Sequence, residues 1–209
     1  MMTALSVMQQ GPVIPVMTID RQADALPLAK ALVQGGLRVL ELTLRTSVAL
    51  DVIRQLRQEV PDAIVGAGTI LDPSQARAAA QAGAQFLVSP GSTPRVLEAC
   101  AETGVPLLPG AATPTEVMLL LERGFTEQKF FPAEAAGGVD MLRSIAAPIP
   151  QVRFCPTGGL TLDNASNYLA LANVVCIGGS WMVSKALIEG RRWSEIERLA
   201  RLAAALPSR

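Results

Sequence analysis

Apolar positions along the chain follow two periods that take turns. Residues 23–34, 48–60, 74–82, 94–103, 115–123 and 164–171 repeat them every three or four residues, the spacing of a helix with one buried stripe. Between these lie short runs rich in β-branched and aromatic residues, which read as strands. Gly35-Gly36, Gly83, Gly104 and Gly124 close the helical stretches, where glycine is the expected stop. Strand starts at Val39, Ile64, Phe86, Leu107, Gln128, Val152 and Val174 are 25, 22, 21, 21, 24 and 22 residues apart. Residues 13–18 supply an earlier strand, which makes eight. Residues 194–206 read as a closing helix and residues 2–9 as a short leading one.

Eight strand–helix units predict an α/β fold, a (β/α)₈ TIM barrel with a short N-terminal helix, forming a single domain over 1–209. An open doubly wound sheet competes with it. The dinucleotide fingerprint of that alternative is missing, because Leu71 stands where the third glycine after Gly66-Ala67-Gly68 belongs. No GxxxxGK[ST] loop is present either. Pro15 fits poorly inside a strand paired on both sides.

Composition narrows the chemistry. Half of the 209 residues are hydrophobic and 17% are charged, with a formal net charge of zero and no basic run. Nucleic acid and anionic membranes are therefore not expected as partners. No apolar stretch nears the ~18 residues of a spanning helix, and the first residues lack the basic and apolar regions of a secretory signal. A cytoplasmic protein is expected. There is no histidine, which removes Ser-His and Cys-His catalysis and most zinc or iron sites; no metal is expected. Cys100, Cys155 and Cys176 are widely spaced and read as small core residues.

Polar and glycine-rich residues gather at the predicted carboxyl ends of the strands, the face on which this fold builds active sites. In Val39-Leu40-Glu41-Leu42-Thr43-Leu44-Arg45 the leucines alternate with Glu41, Thr43 and Arg45. The leucines should face the helices and the polar residues the interior. Lys129 shares a strand face with Phe131, opposite Gln128 and Phe130. A lysine among phenylalanines loses hydration, which disfavours its ammonium form and makes it a candidate nucleophile toward carbonyl carbon. Glu41 beside it suits general acid–base work. The competing readings are a lysine that reaches back to water and an ion pair that merely fills the interior. Thr157-Gly158-Gly159 and Gly178-Gly179-Ser180 end the last two strands, where such folds frequently hold phosphate. Tight turns are the alternative reading.

Taken together, Glu41-Leu42-Thr43-Leu44-Arg45-Thr46, Gly66-Ala67-Gly68-Thr69, Lys129-Phe130-Phe131-Pro132-Ala133-Glu134, Arg153-Phe154-Cys155-Pro156-Thr157-Gly158-Gly159 and Cys176-Ile177-Gly178-Gly179-Ser180-Trp181 resemble the motifs of the 2-keto-3-deoxy-6-phosphogluconate (KDPG) aldolase family, also called 4-hydroxy-2-oxoglutarate aldolase. The resemblance runs from about Gly11 to the end, in matching order. It implies a class I aldolase, usually a homotrimer, that uses no cofactor beyond a covalent Schiff base. It makes Lys129 the Schiff-base lysine and Glu41 the proton-transfer residue. Arg45 and Thr69 become the holders of the pyruvyl carboxylate, and Thr157, Gly158, Gly159, Gly179 and Ser180 the phosphate side. Pro90 and Phe131 become pocket walls. The implied substrates are the phosphorylated 2-keto-3-deoxy sugar acid, giving pyruvate and glyceraldehyde 3-phosphate, and 4-hydroxy-2-oxoglutarate, giving pyruvate and glyoxylate. The Lys129–Glu134 and Arg153–Gly159 blocks look more like the gluconate enzymes than those for the galactonate epimer. Some relatives carry arginine at the end of the first strand, where Met17-Thr18 stand here, with Arg21 further on. A non-covalent sugar-phosphate isomerase and a catalytically silent phosphate sensor or assembly module remain as readings of the same face.

Overall fold

The computed structural model describes residues 2–207; Met1, Ser208 and Arg209, the ends of the expected 1–209 domain, lie outside the described residues. Parallel strands alternate with helices in the order α1 (Ala4–Met8), β1 (Val13–Met17), α2 (Ala25–Gln34), β2 (Val39–Thr43), α3 (Ala49–Glu59), β3 (Ile64–Gly68), α4 (Pro73–Gln81), β4 (Leu87–Val88) and α5 (Pro94–Thr103). There follow β5 (Leu107–Leu108), β6 (Gly110–Ala111), α6 (Pro114–Glu122), β7 (Glu127–Phe130), α7 (Gly138–Ala146), β8 (Arg153–Pro156), α8 (Leu162–Leu169), β9 (Ile177–Gly179), α9 (Lys185–Glu189) and α10 (Trp193–Ala204). No helix among the described residues is long and apolar enough to cross a membrane.

Local chemistry accounts for many of the boundaries. Asp72, Thr93, Thr113 and Thr161 each accept a backbone N–H of the first helical turn, at α4, α5, α6 and α8. In the first three a proline follows, with its φ already set for a helix. Helices α7 and α9 escape the sequence reading. Gly137 and Gly138 open α7 with φ of 102° and 57°, so its start looks like a turn, and α9 has only five residues.

The α/β alternation stands, but the closed eight-stranded barrel does not. The strands divide into a six-stranded sheet, ordered β5-β4-β3-β2-β1-β9, and a three-stranded sheet, ordered β6-β7-β8. The expected strand that starts at Leu107 breaks at Pro109, which has no N–H to give. Leu107 and Leu108 pair with β4, while Gly110 and Ala111 pair with β7. At the other seam, among the described residues, β8 and the residue after it meet β9 and the segment before it through the isolated pairs Phe154–Val174 and Thr157–Gly178. Pro15 is accommodated where β1 changes partners: Val13–Pro15 pair with β9, and Val16 and Met17 with β2.

Alternation along the strands sorts side chains into two cores. Leu40, Leu42, Val65, Ala67, Phe130 and Phe154 pack outward against the helices. Ile14, Val39, Phe86, Val88, Leu108, Cys155 and Cys176 pack inward, with Val7 and Met8 of α1 lying against them. All three cysteines are buried and unbridged, in keeping with their reading as core residues. Burial pushes the Cys100 thiol up to about 11. Cys176 is raised too, first by its hydrogen bond with Cys155 and then by burial.

Candidate active site

Strand β7 turns Gln128 and Phe130 one way and Lys129 the other. Gln128 is fully buried and donates its amide N–H groups to the carbonyls of Val117 (3.1 Å) and Phe125 (3.0 Å). Phe130 meets Phe154 edge to face at 6.2 Å. On the inner side, Lys129 Nζ lies 3.2 Å from Glu41 Oε1, with both side chains almost closed to solvent at 6% and 4% exposure. The Phe131 ring lies 5.4 Å from the same nitrogen. The pair joins β7 of the small sheet to β2 of the large one. Either charge alone at this depth would be destabilising, so the two hold each other in place.

Glu41 owes its position to alternation and to missing side chains opposite. Leu40 and Leu42 lie in the outer core, as their spacing predicts, which turns Glu41 and Thr43 inward. On the neighbouring strand β3, Gly68 leaves the space that the Glu41 carboxyl fills; a Cβ there would run into that carboxyl. Two residues on, Thr43 donates its hydroxyl proton to the Met17 carbonyl (3.0 Å) and shares a 2.9 Å hydrogen bond with the Thr18 hydroxyl. Arg45 continues this face into solvent, and its Nε donates to Thr69 Oγ1 at 3.2 Å. Thr69 has φ of 62°, an uncommon and strained setting for a β-branched residue. Bonds on either side hold it there: Leu44 N–H to the Gly68 carbonyl (2.9 Å) and Ile70 N–H to the Val88 carbonyl (3.1 Å).

A cleft of about 290 Å³ opens above the pair, lined by Val16, Thr18, Arg45, Lys129, Phe131, Thr157–Leu160 and Gly178–Ser180. Gly158 and Gly159 adopt φ of 106° and 79°, which other residues rarely tolerate. The loop after β7 is tied to theirs by Ala133 N–H to the Thr157 carbonyl (2.8 Å) and Glu134 N–H to the Gly158 carbonyl (3.1 Å). Glu134 in turn accepts the phenol of buried Tyr168 on α8. Burial, then this hydrogen bond and the carboxylate charge, raise Tyr168 above the usual phenol range.

Of the residues singled out by sequence, Arg45, Lys129, Phe131, Thr157, Gly158, Gly159, Gly179 and Ser180 line the cleft. Glu41 is joined to it through Lys129, and Thr69 through Arg45. Pro90 stands off from the cleft lining, with its carbonyl closing over Gly110. Arg21 points elsewhere: its Nε holds Asp24 at 2.8 Å in an adjoining cleft. Sequence reasoning missed Val16, Thr18 and Leu160 as lining residues. The alternation of β1, with Ile14 in the inner core and Val13 and Met17 in the outer one, was the signal available for the first two. Among the described residues no group of three His, Cys, Asp or Glu side chains is placed to hold a metal ion.

Comparison with known proteins agrees with this geometry. A family described as KDPG and KHG aldolase matches residues 5–199. The KHG/KDPG aldolase of Escherichia coli is 52% identical over 95% of this chain and 93% of its own length. The solved KDPG aldolase of Legionella pneumophila superposes with a TM-score of 0.94 at 46% identity, covering 96% of this chain and 98% of that one; it was captured with pyruvate as a covalent carbinolamine. The Zymomonas mobilis KDPG aldolase, solved with 3-phosphoglycerate, gives 0.92 at 45% identity, covering 97% of this chain and 95% of that one.

Proposed function

The chain belongs to the KDPG and KHG aldolase family, and from that premise we propose that it is a class I aldolase acting through a Schiff base on Lys129. It cleaves 2-dehydro-3-deoxy-6-phosphogluconate to pyruvate and glyceraldehyde 3-phosphate, and 4-hydroxy-2-oxoglutarate to pyruvate and glyoxylate. The observation that carries this reading is the 3.2 Å contact between two buried groups, amine and carboxylate, below an open cleft.

Passing a proton to Glu41 frees the Lys129 amine to add to the C2 ketone, forming a carbinolamine. Glu41 returns that proton to the departing hydroxyl, and loss of water leaves an iminium, which takes up electrons when the C3–C4 bond breaks. Glu41 removes the proton of the C4 hydroxyl, directly or through water, and the aldehyde fragment departs. The enamine left on Lys129 regains a proton at C3 from Glu41, and hydrolysis releases pyruvate. Arg45 holds the substrate carboxylate with its planar fork, aided by Thr69. The backbone and hydroxyls of Thr157, Gly158, Gly159, Gly179 and Ser180 cradle the phosphate, and Phe131 walls the pocket. No cofactor takes part in this scheme.

The chain acts as one aldolase domain in the cytoplasm, a setting suited to three unbridged cysteines. It assembles as a homotrimer, as the family resemblance implies; exposed Met118 and Leu119 on α6 offer apolar surface for contact between copies.

The test is to incubate the protein with pyruvate, quench with borohydride and digest with trypsin. The expected adduct sits on Lys129, blocks cleavage there and yields a peptide spanning 124–143 that is heavier by the reduced pyruvyl group. Sugar-acid cleavage with no adduct on that peptide rejects the covalent reading. Coupling to NADH-linked pyruvate reduction separates the aldolase from an isomerase or a sensor, which release no pyruvate.

A further inference from the structure

Strand β1 lies between β2, which carries Glu41, and β9, which carries Gly179 and leads into Ser180. Continuing the register from Met17–Leu42 puts Thr18 beside Thr43. A substrate reaching from Lys129 and Glu41 to the glycine loops therefore runs past the end of β1. There it meets Val16, which is apolar, and Thr18, which is exposed to the cleft.

The hydrogen bonding gives Thr18 a direction. The single hydroxyl proton of buried Thr43 goes to the Met17 carbonyl. The 2.9 Å contact between the two hydroxyls is satisfied together with that bond when Thr18 donates and Thr43 accepts. With its proton committed to the strand, Thr18 presents only lone pairs to the cleft. Such a chain of bonds makes its oxygen a better acceptor.

We infer that Thr18 is a specificity-determining residue that accepts a hydrogen bond from the substrate hydroxyl lying between the cleaved bond and the phosphate, at C5. This rests on the aldolase reading of the site. Glu41 engages the C4 hydroxyl and the glycine loops the phosphate, so C5 is the carbon beside β1. The preference is two-sided. In 4-hydroxy-2-oxoglutarate C5 is a carboxylate, which has no proton to give and faces the Thr18 lone pairs unfavourably. Thr18 thus favours the sugar acid over the shorter substrate.

The test uses Thr18→Val, which keeps the branched shape, and Thr18→Ser, which keeps the hydroxyl. For Val, kcat/KM toward 2-dehydro-3-deoxy-6-phosphogluconate should fall about 5–10-fold, the worth of one hydrogen bond. Toward 4-hydroxy-2-oxoglutarate it should stay level or rise. The Ser variant should keep the wild-type ratio between the two substrates. The 5-deoxy analogue of the sugar acid should lose the same factor with the wild-type protein and nothing further with Thr18→Val. Equal losses on both substrates, no loss on either, or additive losses with the analogue would each overturn the assignment. The borohydride adduct with pyruvate is independent of C5: its absence from the wild type would reject the aldolase reading, whereas its presence with unchanged substrate ratios would reject the role of Thr18 alone.

Discussion

Glu41 and Lys129 come from sheets that are built differently. The large sheet runs unbroken from β5 to β9, and at its centre β2 and β3 pair through five successive residues. It delivers chemistry through alternating side chains: Thr18, Glu41, Thr43 and Arg45 all follow from which way a strand residue points. The small sheet has three strands and contributes one reactive side chain, Lys129. Its other offering is loop backbone, at Thr157–Gly159, held by the loop after β7. The cleft lies over the boundary where isolated pairs join the two. The arrangement teaches that the acid–base partner is placed by a rigid ladder, whereas the anion side depends on loops braced from outside.

The largest effect should come from removing the carboxylate of the large sheet while keeping its shape. Glu41→Gln should lower turnover by about 10²–10⁴-fold, the usual worth of general acid–base help, and still allow the borohydride adduct on Lys129. Wild-type turnover in that variant would sink the role given to Glu41. A sharper version leaves Glu41 in place and spoils its seat. Gly68→Ala puts a methyl group where the carboxyl lies, so Glu41 must swing away from Lys129. A displacement of about 1 Å can cost on the order of 10²-fold in rate. Turnover measured beside a thermal midpoint will tell displacement from unfolding. Unchanged turnover would mean that the large sheet does not place its acid as rigidly as we argue.

How far the sequence speaks follows the same division. Inward Glu41, outward Leu40 and Leu42, and Lys129 set against Phe130 are all legible, because period-two alternation is local. The first glycine pair is legible because positive φ at Gly158 and Gly159 demands glycine, and the second because a side chain at Gly178 or Gly179 would run into Thr157 or Trp181. What escapes depends on distant partners. Pro109 is visible in the sequence, but that the ladder changes partner there depends on where β4 and β7 lie. That the Pro90 carbonyl lies against Gly110 is likewise hidden, because the two stand far apart in sequence. Thr18 looks like an ordinary strand end, since its meaning lies in a hydroxyl 25 residues away. α7 hides behind Gly137-Gly138, which read as a turn before they read as the start of a helix.

The smallest effect tests the brace of the small sheet's loop. Tyr168→Phe deletes the phenol that binds Glu134, whose side chain lies against Gly159. The loss should be about 1 kcal/mol of stability, the net worth of one such bond, read as a lower denaturant midpoint. Its pH dependence gives a second check. Tyr168 is raised above its ordinary 10.0 in the folded chain, so folding favours its protonated form. That contribution is complete below about pH 10, where both states hold the proton. It fades as pH climbs from there toward the higher folded value, because the unfolded chain then ionises first. The Phe variant should lose that part of the alkaline decline and keep the part due to Cys100, which runs from 9.0 to about 11. Identical alkaline curves for the two proteins would show that the folded chain does not favour the protonated phenol, and an unchanged denaturant midpoint that the Tyr168–Glu134 bond does not brace the loop.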